Sequence, residues 1–203
     1  NIFADLEDST VPNRVGAGFE VTVTAGTATK VPYTTALNGA NNAITVLGGT
    51  TATKLLWPIN SLPEVMTTCN VQRFAGATSR RIFSCEQSPD QYGTSFLGHW
   101  NGKRGMSYYH GWKTLQNSVG VKHNWLIMCG TSRGSWPGNI IIDQFNVGIN
   151  SDSTHRPCQL NINHYTDTSD FEIHSVYIWN AVLSTTQMRH VTTALRAQII
   201  FEN

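Results

Sequence analysis

The chain has few charged residues and no long apolar run, and both absences limit what it can bind. Only 13% of its 203 residues are charged, and the formal net charge is +1. Binding to nucleic acid through the phosphates needs a basic patch or stripe. No run of about 18 or more apolar residues occurs, so no membrane-spanning helix is predicted. We therefore expect neither nucleic-acid binding nor membrane insertion.

Processing signals are also missing. The sequence begins at Asn1, without Met and without a charged-then-apolar leader, which is typical of a matured product or an excised fragment. No Asn-x-Ser/Thr triplet occurs, which excludes N-glycosylation but leaves O-linked sugars open. Gly, Thr, Ser and Asn are abundant while Glu and Lys are scarce, a balance that favours strands and turns over helices.

The cysteines predict two disulfides. They are Cys69, Cys85, Cys129 and Cys158. Neither close cysteine pairs nor Cys/His clusters occur, so a structural zinc site is not expected. An even number favours two bridges formed in an oxidising compartment, with three connectivities open and four buried free thiols as the alternative. Residues 66–74 and 80–85 have the pattern of paired strands about a turn. That pairing would put Cys69 opposite Cys85 and leave the other two cysteines to pair.

Hydrophobic periodicity predicts one all-β domain. Residues 19–24 alternate apolar and polar side chains as a half-buried strand does. About a dozen such short segments follow with turn residues between them, which is the pattern of a β-sandwich. No segment repeats at a fixed period, so solenoids and propellers are excluded. We assign residues 19–203 to the sandwich and residues 1–18, which lack periodicity, to an N-terminal arm or linker.

The chain is predicted to end with a strand, a tight corner and a short helix. Residues 170–179 alternate with period two and are rich in β-branched and aromatic side chains, which predicts a strand. Ser184 and Gln187 form a capping-box pattern, which marks the start of a helix. Apolar residues then recur at helical spacing, at Met188, Val191, Leu195 and Ile199.

This ending resembles that of laminin G-like domains in the concanavalin A-like lectin and glucanase superfamily. The motif starts at Asp170 and reads Asp-Phe-Glu-Ile-His-Ser-Val-Tyr, with Trp-Asn and Leu-Ser before the helix. Residues 67–74, 96–100 and 105–112 resemble strands of such modules in large secreted proteins of algae and protists. The resemblance covers residues 51–195. It implies a two-sheet antiparallel β-sandwich of the jelly-roll, concanavalin A-like type, with a short C-terminal helix.

Members of this superfamily bind glycans or proteins, act as glycosidases, or build extracellular structures, so the fold does not decide the function. Its glucanases resemble one another in a strand with alternating acidic residues, and retaining hydrolysis needs two carboxyls about 5–5.5 Å apart. The corresponding strand here offers Glu172, then His174, then Val176, so the second carboxylate is missing. No Gly-x-Ser-x-Gly nucleophile motif is present. We therefore predict that the chain is not an enzyme and that Glu172 is a surface or salt-bridging residue.

No cofactor is predicted, with calcium as an open alternative. Lectin relatives in this superfamily often hold Ca²⁺ through loop oxygens. Asp152, Asp167 and Asp170 lie in two loops that could converge. Their spacing does not match a calcium-binding loop, and Asp is common in turns for local reasons.

An aromatic and polar stretch in the middle of the chain is the candidate ligand site. Aromatic rings stack on pyranose faces, and Asn, His and Arg form directed hydrogen bonds with hydroxyls. The candidate ligand-binding residues are His99, Trp100, Asn101, Arg104, Tyr109 and His110 in one hairpin, with Trp136 on a glycine-rich loop. Because side chains alternate between the faces of a strand, part of this set must point into the core.

The sequence thus predicts a non-catalytic extracellular recognition module, secreted or at the cell surface, with carbohydrate as the favoured ligand. Its partner would be a glycan or an extracellular protein. The alternative is a structural subunit of an extracellular fibre, appendage or shell, which self-assembles into a polymer through protein–protein contacts. Low charge, disulfide bonds and a loose N-terminal arm suit such a subunit, and nothing in the residues separates it from a lone adhesion module.

Overall fold

The computed structural model describes residues 10–11, 21–33, 39–40, 42–86, 95–133, 138–149, 155–164 and 166–199. Within these residues the chain forms short β-strands and a C-terminal helix, α1 (Thr185–Ile199). The strands are β1 (Thr10–Val11), β2 (Val21–Ala25), β3 (Thr29–Tyr33), β4 (Ile44–Gly49), β5 (Lys54–Leu56), β6 (Thr67–Phe74), β7 (Phe83–Glu86), β8 (Ser95–Trp100), β9 (Lys103–Tyr109), β10 (Leu126–Thr131), β11 (Ile140–Ile142), β12 (Phe145–Asn146), β13 (Gln159–Ile162) and β14 (Phe171–Trp179). In this part of the chain no helix has the length and apolar character needed to span a bilayer.

The strands form two antiparallel sheets that pack as a sandwich, which confirms the predicted fold class. Sheet A has the strand order β12-β11-β10-β6-β14-β4-β3, and sheet B has the order β1-β2-β5-β13-β7-β8-β9. The helix follows the last strand, as the capping pattern predicts. Two residues of the predicted N-terminal arm, Thr10 and Val11, pair with β2 at the edge of sheet B. The rest of that arm lies outside the described residues.

The main core lies between the two sheets. Sheet A contributes Phe74, Met128 and Phe171, and sheet B contributes Leu55 and Ile162. All five side chains are fully shielded from solvent. Burying an apolar side chain of this size contributes roughly 1.5–3 kcal/mol, so this layer is a major source of stabilisation.

A second apolar layer joins α1 to the outer face of sheet A. Met188, Leu195 and Ile199 of the helix are buried with Trp125 and other residues of the sheet. The capping box is formed, because the Ser184 amide donates to Gln187 Oε1 at 2.8 Å and the Gln187 amide donates to Ser184 Oγ at 3.2 Å. The predicted helix start and apolar stripe are both confirmed.

The prediction of two disulfides is confirmed, but the predicted pairing is wrong. The bonds are Cys69–Cys129 and Cys85–Cys158. β6 does not form a hairpin with β7, because the two strands belong to different sheets. β6 pairs with β10, which places Cys69 directly opposite Cys129, and β7 pairs with β13 in sheet B.

The hairpin that carries the candidate ligand residues forms the edge of sheet B. β8 pairs with the edge strand β9, and a two-residue turn connects them. Asn101 and Gly102 in this turn have φ angles of 48° and 76°, a conformation in which glycine is favoured and Asn is tolerated. Their amides donate to the carbonyls of Arg80 and Ser79, both at 2.7 Å. The turn is therefore anchored to the segment that precedes β7.

Candidate functional site

Strand alternation divides the hairpin into an inner and an outer face. Leu97 and Tyr109 belong to the core between the sheets. Their neighbours Phe96 and Tyr108 are paired residues on β8 and β9, so their side chains point away from the core. The outer face of this edge of sheet B consequently carries a group of aromatic rings.

We call this group the aromatic patch, and its members are Phe96, Trp100, Tyr108 and Trp112. Phe96 and Tyr108 are stacked, with an interplanar angle of 9° and ring centroids 5.7 Å apart. Trp112 lies across the other three at angles of 67–81° and centroid distances of 5.0–5.7 Å. Offset and edge-to-face contacts of this kind contribute about 0.5–1.5 kcal/mol each beyond simple burial. Phe96 is 5% exposed, whereas the other three rings are partly exposed and can be reached from solvent.

Polar and cationic side chains surround the patch. The Arg81 guanidinium lies 4.7 Å from the centroid of the Phe96 ring and forms a 3.1 Å ion pair with Asp167. Lys103 Nζ lies 5.5 Å from the Trp100 ring. The exposed Asn101 accepts a 3.3 Å hydrogen bond from Arg80 through Oδ1. The site thus combines apolar ring surface with directed donors and acceptors at its edge.

Three of the predicted ligand residues lie inside the protein rather than on this surface. His99, Arg104 and Tyr109 are 1%, 4% and 1% exposed. The His99 ring packs against Phe74 with centroids 4.4 Å apart. Burial, with a smaller effect from the charge of Arg104, lowers its pKa well below 6.5. Burial raises the pKa of Tyr109. None of the three can touch a ligand on the outer face without rearrangement of the hairpin.

Arg104 has a structural role instead. Its guanidinium forms a 2.7 Å ion pair with Asp143 and donates to the carbonyls of Val119 at 2.6 Å and Trp125 at 2.5 Å. These bonds tie the start of β9 to the loop before β10 and to the turn after β11. They satisfy a buried cation, which would otherwise be costly.

A further predicted ligand residue, His110, stands apart from the patch. His110 is exposed, with a φ of 50°, at the opposite end of β9 from Asn101. Seven residues of extended strand separate the two positions, which is on the order of 20 Å. Trp136 lies outside the described residues. A ligand role for Trp100, Asn101 and His110 stays a prediction.

The residues of the site that the predicted ligand set leaves out include Phe96, Tyr108, Trp112 and Arg81. Alternation from Leu97 and Tyr109 would have indicated the first two. Trp112 joins the patch because the chain folds back and forms a bridge between Tyr108 and Trp112, a contact without a local sequence signal. Arg81 reaches the patch through an isolated bridge to Trp100.

Glu172, Asp167 and Asp170, which were considered for catalysis or calcium, have protein partners. Glu172 forms a 2.7 Å ion pair with Arg73, which confirms the predicted salt-bridging role. Asp170 accepts the amides of Thr51 and Thr78 at 3.2 and 3.0 Å, and Asp167 holds Arg81. Asp152 lies outside the described residues. Calcium binding by these aspartates stays untested.

One group of side chains within the described residues has the proximity that metal ligation requires. It consists of Cys85, His155 and Cys158, whose ligand atoms all lie within 4.8 Å of one another. The two sulfurs are joined in a disulfide. The sequence spacing of His155 and Cys158, three residues apart, is the signal that could have indicated this group.

Comparison with known proteins shows the fold but no family. No family model and no curated protein matches the sequence. Among solved structures, Trypanosoma rangeli sialidase in complex with sialic acid is similar over 98% of this chain, with a TM-score of 0.67 and 12% identity. The chain spans 33% of the sialidase chain. At this level of identity the likeness concerns the fold alone.

Two other solved structures have the same sandwich. Domain 4 of AbnA, a GH43 extracellular arabinanase from Geobacillus stearothermophilus in complex with arabinotriose, is similar over 87% of this chain and 90% of its own, with a TM-score of 0.59 and 12% identity. The receptor-binding domain of botulinum neurotoxin C/D mosaic serotype is similar over 95% of this chain and 50% of its own, with a TM-score of 0.59 and 13% identity.

These comparisons correct one prediction and support another only at the level of the fold. The prediction that the chain is not an enzyme is wrong as drawn, because the similar structures include sialidase and arabinanase chains. The missing second carboxylate excluded one glucanase arrangement, and it did not exclude a place for this sandwich within a larger enzyme. The resemblance to laminin G-like domains is supported at the level of a β-sandwich.

Proposed function

We propose that this chain is a carbohydrate-recognition domain and that it binds glycan on the aromatic patch. The observation that carries the proposal is the cluster of four rings on the outer face of the β8–β9 hairpin, three of them partly exposed. A pyranose presents an apolar C–H face that packs on such rings. Large exposed aromatic surface rimmed by polar groups is also typical of binding sites on soluble proteins.

The rim supplies the groups that would orient a sugar. Asn101 offers both an amide donor and a carbonyl acceptor, and Lys103 and Arg81 offer donors. Asp167 offers a carboxylate acceptor beside Arg81 at 3.1 Å. Because Arg81 and Asn101 are already held by neighbouring groups, little side-chain entropy is lost when a ligand binds.

The relatives support a place for this domain in glycan chemistry. The arabinanase domain that matches most of this chain is bound to arabinotriose, and the matching sialidase chain is bound to sialic acid. We propose that the chain works as one domain of a larger, extracellular glycan-processing or glycan-binding protein. The two disulfides support an oxidising, extracellular location. The finer assignment to the laminin G-like type is part of this proposal, supported by the ending of strand, corner and helix.

A glycan array followed by titration calorimetry tests the proposal, with arabinotriose and a sialylated trisaccharide as the first soluble probes. We expect Trp100→Ala to weaken binding at least tenfold, equivalent to about 1.4 kcal/mol, because Trp100 is a partly exposed ring of the patch. Trp179→Ala is the matched control, since Trp179 is also partly exposed and stacked on a neighbouring ring, Tyr177, but lies in sheet A. Equal affinity of both variants for the selected glycan would rule out the patch.

A structural role through self-association is the second candidate. The edge strand β12 of sheet A carries Phe145, which is 72% exposed. Ile149 is 41% exposed, and its amide donates to the carbonyl of Lys113, close to Leu115, which is 61% exposed. Light scattering at dilute and concentrated protein tests this role, because a polymer would favour it and a concentration-independent monomer would oppose it.

A further inference from the structure

The Cys85–Cys158 disulfide has an imidazole beside it, and the three side chains form a buried cluster. Cys85 lies on β7, Cys158 directly precedes β13, and His155 precedes it by three residues. Each of the three is 1% exposed. Their Sγ and ring nitrogen atoms all lie within 4.8 Å of one another. The two cysteines therefore join β7 to the start of its neighbour β13, and His155 lies in the segment that leads into β13.

The imidazole is oriented by its other neighbours. His155 Nδ1 lies 2.8 Å from Ser95 Oγ, and the ring makes an edge contact with Tyr109, with centroids 5.6 Å apart. This arrangement directs Nε2 towards the sulfurs, 4.0 Å from Cys158 Sγ. In metal sites the second ring nitrogen of a histidine ligand is usually held by a hydrogen bond, most often to a carboxylate, a backbone carbonyl or water. The Ser95 hydroxyl is placed to hold Nδ1 of His155 in the same way.

A neutral imidazole is the form of histidine that binds metal ions. A metal on His155 Nε2 would replace whichever proton that nitrogen carries.

The second disulfide has no comparable surroundings. Cys69 and Cys129 are buried among apolar side chains beneath α1. In the described part of the chain, the only grouping of three or more potential metal ligands is the one at Cys85. A histidine beside the sulfurs is thus not a general requirement of a disulfide in this fold, and the second bond provides an internal control.

We propose that the dithiol form of Cys85 and Cys158, together with His155 Nε2, binds one zinc-like divalent cation. Two thiolates and one imidazole form a three-ligand set of the type that zinc accepts, with the fourth position open to water. Metal–sulfur bonds of about 2.3 Å in a tetrahedral site place the sulfurs about 3.8 Å apart. In a disulfide the sulfurs are about 2.05 Å apart, so they would have to move apart by less than 2 Å to bind the metal. Rotation of the two side chains can provide this movement while the Cα atoms stay 5.7 Å apart.

Reduction of the Cys85–Cys158 disulfide by a phosphine gives the dithiol form in a balanced reaction. The phosphine takes up the oxygen of one water molecule to become a phosphine oxide, the S–S bond breaks, and the water protons yield two thiols. Binding of the divalent cation then forms two metal–sulfur bonds and releases the two thiol protons. Disulfide and metal therefore compete for the same sulfurs, and either one connects β7 to the start of β13.

Cobalt(II) substitution tests the site on the full chain. The protein is reduced with a phosphine under anaerobic conditions, and Co²⁺ is titrated while the near-ultraviolet and visible spectra are recorded. We expect one Co²⁺ per chain, with thiolate-to-cobalt charge-transfer absorption and the intense visible bands of tetrahedral cobalt. His155→Ala should weaken Co²⁺ binding at least tenfold, while His164→Ala, which alters a histidine outside the cluster, should leave it unchanged. Absence of the bands, or equal affinity of the two variants, would overturn the proposal.

Cysteine variants assign the signal to one pair of sulfurs. A double variant of Cys85→Ala and Cys158→Ala should lose the cobalt bands, and a double variant of Cys69→Ala and Cys129→Ala should keep them. Far-ultraviolet circular dichroism follows folding in the same samples. If reduction unfolds the chain, Co²⁺ should restore the β-sheet signal, since metal binding then stabilises the fold. Failure to restore it, or cobalt bands that persist without Cys85 and Cys158, would contradict the proposed site.

Discussion

Mild acid should destabilise this sandwich through buried histidines. Burial lowers the pKa of His99 well below 6.5, and it lowers the pKa of His155 and His174 to about 4. Below pH 6.5 these three side chains take up protons in the unfolded chain but not in the folded one. The unfolded state then binds more protons, so the free energy of unfolding falls as the pH is lowered towards the folded pKa values.

The size of this effect follows from the linkage relation. Each such histidine contributes a slope of about 1.4 kcal/mol per pH unit once the pH is below 6.5. Between pH 7.5 and pH 5 this amounts to about 2 kcal/mol for each of His155 and His174, or roughly 4 kcal/mol for the two, and His99 acts in the same direction. Because a whole domain is stabilised by only about 5–15 kcal/mol, the loss should be large.

Urea denaturation at several pH values between 7.5 and 5 measures the effect. With a slope of about 2 kcal/mol per M urea, His155 and His174 should each lower the unfolding midpoint by about 1 M over this range. His99→Leu should reduce the pH dependence, because leucine cannot be protonated. His190→Leu, at an exposed position on α1, is the control and should leave the dependence unchanged. A midpoint that stays constant from pH 7.5 to pH 5 would refute the reasoning.

Two matched pairs of substitutions test the packing and the ion pairs. Gly98→Ala should cost at least about 3 kcal/mol of unfolding free energy, because Gly98 has a φ of 130° and a Cβ there would lie 1.7 Å from Gln72 Nε2. Gly111→Ala, where a Cβ has open space, should cost less than about 1 kcal/mol. Glu172→Gln should cost roughly 3 kcal/mol, since it leaves a buried arginine without its 2.7 Å partner. Glu64→Gln breaks an ion pair that is about half exposed and should cost under about 1 kcal/mol. Urea denaturation measures all four costs. If the two members of either pair of substitutions cost about the same, the packing or ion-pair argument for that pair would be contradicted.

Local patterns predicted the elements that local interactions determine. The end of the chain is the clearest case, because period-two alternation in β14, the capping box at Ser184 and the apolar stripe of α1 each depend on residues a few positions apart. The structure has all three, at Phe171–Trp179 and Thr185–Ile199. The β-sandwich followed from the number and spacing of such segments.

Local sequence patterns could not predict which strands pair with one another across long stretches of the chain. The predicted disulfides assumed that β6 and β7 form a hairpin, but β6 lies between β10 and β14 in the other sheet. Cys69 consequently faces Cys129, a residue 60 positions away. Which strands become neighbours is decided by the packing of the whole core, and a strand's own sequence carries little of that information.

In the candidate site, too, local sequence patterns predicted one part and strand pairing determined the rest. Composition identified the hairpin, but the side to which each residue points depends on strand register. His99 and Tyr109 face the core, and Phe96 and Tyr108 face outward. Trp112 completes the aromatic patch only because the chain returns to β9 after Tyr109.

The most direct test of the central claim is the affinity of the wild-type chain, Trp100→Ala and Trp179→Ala for one glycan selected on an array, measured by titration calorimetry. The account predicts saturable binding that falls at least tenfold in Trp100→Ala and is unchanged in Trp179→Ala. Circular dichroism of the same samples verifies that each variant is folded. Equal affinity in all three proteins, or no binding to any glycan on the array, would contradict carbohydrate recognition by the aromatic patch.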